Sequence, residues 1–352
     1  MDIPHGARNV LCALGLFAAL LLAACGEDPT EPLPGKRHVL VPEDYPDLLT
    51  AIEAWNFGDT ISLASGVHSG EGFRDLALDA RFVAIVGRNP ESPSTIDLEE
   101  TGQAFVLRNG SSLYLRDLIL RRGLSGIGGV LRVTESGARL VRVRMERSSA
   151  RYGGAIVVER GQLQMIGCEL RGNEATEIDG GAIYGSLSEV TLTTTIVAGN
   201  RAQAGGGAIS LDRSGLVATA STFSGNRANT GGAFRVARSS GLELVRTIVW
   251  QNEAEDGSDP ALVARGATMD LACSVMDTLG VSGAITSTED VIALDPRFCD
   301  PVPPMESPTT SGDYGIDANS PCSAENAPCG RRIGARDPGC VAPLRFPGSA
   351  GL

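Results

Sequence analysis

Between residues 153 and 256 the chain alternates apolar and polar positions in short runs, and the runs recur. Ile156-Val157-Val158, Ile183-Tyr184-Gly185, Ile209-Ser210-Leu211 and Phe234-Arg235-Val236 align their first residues in one apolar column. Val158, Leu211 and Val236 form a second column two residues on, interrupted by Gly185, and the mixed residues between the two should face outward. Leu163, Val190, Leu216 and Leu242 make a further column, and Leu170, Val197, Phe223 and Val249 another. Period-2 runs this short predict β-strands, and the unit leaves no room for a helix.

Two markers keep the register of these columns. Gly-Gly-Ala followed by an apolar residue starts at Gly153, Gly180, Gly206 and Gly231, in steps of 27, 26 and 25. Asn-x-Ala starts at Asn173, Asn200, Asn226 and Asn252, in steps of 27, 26 and 26. From Gly pair to Asn the spacing is 20, 20, 20 and 21, whereas from Asn to the next Gly pair it is 7, 6 and 5. Length therefore varies in one short segment, as a surface turn allows.

Each unit predicts one coil of an all-β, right-handed parallel β-helix, a β-solenoid whose equivalent residues stack about 4.8 Å apart. Asn173, Asn200, Asn226 and Asn252 are read as a structural ladder at a bend. Each amide would bond its neighbour and the adjacent backbone, and a ligand site would not need identical residues in successive coils. The Gly pairs would supply positive φ or close backbone approach where the chain turns.

The Gly-Gly-Ala-Ile elements, with Phe223-Ser224-Gly225-Asn226, resemble the GGAI and FxxN repeats of chlamydial polymorphic outer-membrane proteins, which are surface adhesins with a β-solenoid passenger. The resemblance covers residues 153–256 and departs at the C-terminal side, where no stretch is patterned as an autotransporter barrel. More broadly, the chain resembles pectin-lyase-like β-helix repeat proteins. Pro42-Glu43-Asp44-Tyr45-Pro46 with Leu48, Leu49, Ile52 and Trp55 is similar to their short N-terminal capping helix, and residues 58–63 to their first strand. Irregular coils are expected through residues 83–86, 105–107, 113–120 and 131–143. Residues 295–298 and 320–322 resemble a closing segment.

Ahead of the repeats, residues 10–22 form an apolar run long enough for a signal-peptide core and short of the ~20 residues a membrane span needs. Leu22-Ala23-Ala24-Cys25 resembles the lipobox of bacterial lipoproteins, which implies cleavage before Cys25 and lipidation on it. Gly26 as the next residue implies outer-membrane delivery. The expected organisation is a signal peptide over residues 1–24, lipidated Cys25 and linker over 25–37, the β-helix with its cap over 38–298, and a Cys-rich closing tail over 299–352. The partner so implied is a membrane, reached through the lipid anchor. A polysaccharide or a surface protein is the expected ligand of the displayed surface.

The net charge of −12 and the lack of a basic stripe exclude nucleic acid as a partner. Beyond Cys12 and Cys25 there are six cysteines. Cys299, Cys322, Cys329 and Cys340 lie in a Pro- and Gly-rich tail and are expected as two disulfides, with three connectivities open. Cys168 stands five residues before its Asn, as do Thr195, Ser221 and Thr247. Cys273 is read as continuing that column, which makes Cys168 and Cys273 separate thiols.

Catalytic chemistry has little to stand on. Past the apolar leader the histidines are His38 and His68, and neither an HExxH nor a GxSxG motif is present. Glu174, Glu177 and Asp179 fall in one inter-repeat turn, and Glu253, Glu255, Asp256 and Asp259 in another. These read as solvated turn carboxylates, with calcium the one ion they suit; no other metal or cofactor is expected. Tyr184 is an outward aromatic candidate. No catalytic residue is assigned. The expected function is a cell-envelope β-helix displayed for adhesion or structural interaction without turnover, the alternative being a polysaccharide lyase, hydrolase or carbohydrate-binding protein.

Overall fold

The coil that begins at Ile156 shows how one repeat closes. Its strands are Ile156–Glu159, Gln162–Ile166, Glu169–Arg171 and Glu174–Ala175. Between the first three strands and after the third, one residue takes a left-handed φ: Arg160 at 50°, Gly167 at 62° and Gly172 at 61°. A single residue in that conformation bends a strand sharply and lets the next strand begin at once.

Successive coils then pair in parallel and in register. Ile156 lies opposite Ile183, Ile183 opposite Ile209, and Ile209 opposite Phe234. The computed structural model describes residues 37–257, 261–263, 267–277, 281–282 and 285–340. Among these, the coils build four parallel sheets. Sheet A has 11 strands including Gln162–Ile166, sheet B has nine including Glu169–Arg171, sheet C has nine including Ile156–Glu159, and sheet D has six including Glu174–Ala175. The chain is a right-handed parallel β-helix of about nine turns.

The apolar columns fill its interior. Ile156, Ile183, Ile209 and Phe234, with the columns beginning at Leu163 and Leu170, are at most 2% exposed. Each such side chain contributes roughly 1.5–3 kcal/mol of burial. The regular coils also reach further back than the Gly-Gly-Ala repeats. Gly128-Gly129-Val130-Leu131 is another Gly pair, with Val in place of Ala, and Leu131 pairs with both Phe105 and Ile156.

Polar ladders line three of the corners, because a left-handed residue interrupts the backbone pairing and leaves buried N–H groups to satisfy. At the B–D corner the amide N–H groups of Asn173, Asn200 and Asn226 are accepted by Oδ1 of the next Asn at 3.0, 3.1 and 3.1 Å. The side-chain Nδ2 donates to the same oxygen at 3.0, 3.0 and 2.9 Å. Asn252 closes the stack, and Ser148 opens it by donating its N–H to Asn173. At the C–A corner Ser188, Ser214 and Ser240 repeat the device with hydroxyls at 3.1 Å. At the A–B corner Thr195, Ser221 and Thr247 do the same, and Cys168 takes that position one coil earlier. Burial pushes the Cys168 thiol up to about 12, so it behaves as a small apolar core group.

The fourth corner is built by the Gly pairs. A Cβ on Gly181 would lie 2.1 Å from the carbonyl oxygen of Gly207 in the next coil. Only glycine permits the backbones to pass that closely.

At the N-terminal end a strand absent from the sequence reading, β1 (His38–Val41), pairs with β2 (Thr60–Leu63). Helix α1 (Leu48–Glu53) closes the coil between them, capped by Asp47, whose Oδ1 accepts the Thr50 N–H at 2.9 Å. Leu48, Ala51 and Ile52 are its buried face.

Residues 298–340 do not extend the solenoid; they run back along the outer face of sheet B. There the outward column changes from Arg144 and Glu169 to Ile196, Thr222, Ile248 and Val275. Ile248 and Val275 share an apolar cluster with Ile316, Cys322 and Ile333 of the tail, and Ile196 packs with Tyr314. Backbone bonds pin the strap: Thr309 N–H to Gly199 O and Gly334 N–H to Arg246 O, both at 2.8 Å.

The disulfides differ from the expectation of two bonds within the tail. Cys299 is bonded to Cys340, but Cys329 is bonded to Cys273, and Cys322 is a buried thiol. The column that starts at Cys168 is continued by Ser274, which accepts the Thr247 N–H at 3.1 Å, and not by Cys273. Cys273 instead holds the left-handed corner, with φ 47°, equivalent to Arg246. One residue of register separates an inward from an outward side chain, so Cys273 faces the tail. Cys168 and Cys273 are not bonded to each other.

Candidate functional site

The outer face of sheet C carries the richest chemistry among the described residues. Its first outward column reads Arg132, Val157, Tyr184, Ser210, Arg235 through successive coils, and the second reads Thr134, Glu159, Ser186, Asp212, Ala237. Four strand spacings separate Arg132 from Arg235, about 19 Å at the standard repeat. The segments before the Gly pairs overhang this face, since they join sheet D to sheet C. They bring Tyr152 and Asp179 to it from two different coils.

The rings of Tyr152 and Tyr184 meet edge to face, 5.2 Å apart, a separation typical of favourable aromatic pairs. Both are partly exposed. Ion pairs flank them: Arg132 Nη2 with Glu159 Oε2 at 3.2 Å on one side, and Arg235 Nη1 with Asp179 Oδ2 at 2.6 Å on the other. Arg238 reaches Asp212 at 3.3 Å.

Burial raises Asp179 above the usual carboxylate range, against the pull of Arg235 and of the Gly205 backbone. Burial also raises Tyr184, with Asp212, Asp179 and Tyr152 adding to it. Tyr184 is thus held as a neutral phenol at the edge of this surface. Ser210 Oγ is fully buried beneath this surface without a partner.

The acidic turns are otherwise taken up by arginine. Glu174, Arg201, Arg227 and Glu253 stack in one column of sheet D, and Glu255 reaches both Arg201 and Arg227. Glu177 binds Arg151 at 2.7 Å. Among the described residues no three His, Cys, Asp or Glu side chains come together as a metal site. Asp259, Cys25 and the rest of the leader lie outside the described residues. His38 and His68 make local bonds, to Ser62 Oγ and to Ala64 O. A crevice of about 530 Å³ lies between sheet B and the tail and includes Arg142, Glu169, Arg336 and Asp337. Arg171, Arg144 and Arg336 surround Glu169 there and hold it below the usual range despite its burial. Those charges join strap to body.

No protein-family model matches the chain, and no curated protein matches its sequence. Solved structures similar to it include pectate lyase Pel9A, at 12% identity over 86% of this chain and 97% of that one, with a TM-score of 0.40. A rhamnogalacturonan lyase follows at 9% identity over 85% and 100%, TM-score 0.42. The alginate lyase AlyGC shares 11% identity over 74% and 50%, TM-score 0.28. Scores this low carry nothing about activity. The fold assignment stands on the strand registers themselves.

Of the candidates read from sequence, Tyr184 and Asp179 come together on this face, whereas Glu174 and Glu177 do not. Arg132, Tyr152, Glu159, Asp212 and Arg235 were missed as site residues. Arg235 was visible in the mixed outward column, and Arg132 becomes visible once Gly128-Gly129 is aligned with the later Gly pairs.

Proposed function

We propose that this protein is an outer-membrane lipoprotein, anchored through Cys25, that binds a polysaccharide along the outer face of sheet C and does not turn it over. The observation that carries the reading is the strip in which Tyr152 and Tyr184 lie between two Arg–carboxylate pairs. Tyrosines offer an apolar ring and a polar tip, and guanidinium groups bond hydroxyl and carboxylate oxygens, which together suit a sugar chain. The likeness of the repeats to those of surface adhesins supports the same reading.

Against turnover, the acids of the strip are each held by arginine, and none stands free opposite another across an open cleft. A second reading turns on Asp179, which faces Arg235 at 2.6 Å on the same surface as Tyr184 and which burial raises toward the protonated form that an acid catalyst needs. The purified protein is to be tested on a polysaccharide panel for binding and for release of new chain ends. The expected result is binding weakened about tenfold or more by Tyr184→Ala, with no release. Cleavage abolished by Asp179→Asn with folding retained would establish the enzymatic reading instead.

A further inference from the structure

We propose that the aromatic cluster at the N-terminal end of the rod is a foot that seats in the headgroup region of the bilayer. The proposal rests on the reading of Cys25 as lipidated. Trp55, Phe57 and Phe82 meet pairwise at ring separations of 6.3, 6.2 and 6.4 Å. Phe57 is 71% exposed and Leu49, on the outer side of α1, is 42% exposed. The Trp55 indole N–H is held by the Asp59 carbonyl at 2.9 Å, which fixes the ring at the surface.

Two guanidinium groups border the cluster. Arg37 donates to Ala54 O and to Asp59, and Arg81 donates to Ile52 O at 3.3 Å. Glu53 is the exposed acid on α1, while Asp47 caps the helix and Asp59 is held by Arg37. An exposed phenylalanine ring beside two partly buried rings, bordered by arginine, suits a membrane–water interface, where rings sit at headgroup level and guanidinium groups meet phosphate.

The tether selects the bilayer as occupant. Arg37 enters the fold beside Trp55 and Phe57, and the twelve residue steps from Cys25 to Arg37 span at most about 43 Å when fully extended. The far end of the rod is about nine turns away, a further ~43 Å. Only a fully stretched linker laid back along the rod would bring the far end to the lipid, so the aromatic end is the one that the tether favours at the membrane. The net charge of −12 opposes contact through a basic patch, so the rings have to carry it.

Trp55 and Trp250 are the two tryptophans, so Trp250→Phe in the full-length lipoprotein leaves Trp55 as the reporter. The probe is a phosphatidylethanolamine–phosphatidylglycerol vesicle with bromine on the upper acyl chain. Trp55 emission is expected to fall about twofold in these vesicles. Phe57→Ser should restore most of it while the protein stays vesicle-bound through its lipid, and Phe57→Leu should not. Trp55→Phe in the unaltered background must remove the quenched component, which covers the case of a Trp250 variant that folds poorly. Unquenched Trp55 in vesicles that carry the protein overturns the foot alone. An intact mass without acyl chains overturns the lipidation reading and the foot with it.

Discussion

Sheets B and C are made by the same coils and share the same inward pattern, yet their outer faces have opposite characters. Along sheet B the outward column becomes mostly apolar from Ile196 onward, with Thr222 its polar member, and the tail covers it. Along sheet C it carries Arg132, Tyr184 and Arg235 under solvent. Inward residues answer to one packed core, so they repeat. Outward residues answer to whatever lies over them, so they diverge, and chemistry specific to this protein sits there.

The largest test of that difference places a charge under the strap. Ile248→Asp is expected to cost more than about 3 kcal/mol, because the carboxylate would be buried without a partner. Ile119→Asp, in the same column but on an earlier coil where Ile119 is only half-buried, should cost well under half of that. Urea unfolding of both variants measures the gap. Equal costs would mean that the tail does not shield the face.

A middle-sized effect tests whether the interior is indifferent to what lies outside. Asn200→Ala leaves the buried Asn173 N–H without its acceptor, and a loss of about 2–3 kcal/mol is expected. Ser214→Ala, at the corner leading out of sheet C, removes the acceptor of one amide and should cost about 1–2 kcal/mol. A reversed order would show that the ladders are not the source of corner stability.

Acidification should move the two faces in opposite directions. Glu169, held below 4.5 by its arginines, contributes stability that is present above 4.5 and lost as pH falls through its lower folded value. Asp179, raised above 3.8 by burial, has the reverse sign: its contribution is present below 3.8 and lost as pH rises through its folded value. Glu169→Gln should therefore destabilise at neutral pH, with the penalty fading in acid. Asp179→Asn should be neutral or stabilising at pH 7, with the gain fading below pH 4. Melting temperatures from pH 3 to 7 check both signs. The smallest stability effect belongs to Tyr184→Ala, expected within about 1 kcal/mol while binding weakens about tenfold or more.

The coil length, the inward columns and the parallel stacking were legible in Gly-Gly-Ala and Asn-x-Ala, because one core imposes one period on every turn. The serine column at Ser188, Ser214 and Ser240 was equally periodic but chemically quiet, and β1 was too short to stand out. The binding surface was only half legible. Tyr184 and Arg235 sit in a column that the repeat aligns, but Tyr152 and Asp179 arrive from segments of varying length, where the period is silent.

What the sequence determined alone is local and repeated: period-2 strands, a glycine pair where backbones nearly touch, and an asparagine at the one corner where an amide satisfies the unpaired N–H. The tertiary structure decided what those rules do not reach. It laid the tail against sheet B, since a segment poor in apolar residues could only be buried by borrowing Ile196, Ile248 and Val275 from the solenoid. It also paired Cys273 with Cys329, because one residue of register at a left-handed corner turns that side chain outward to meet the strap.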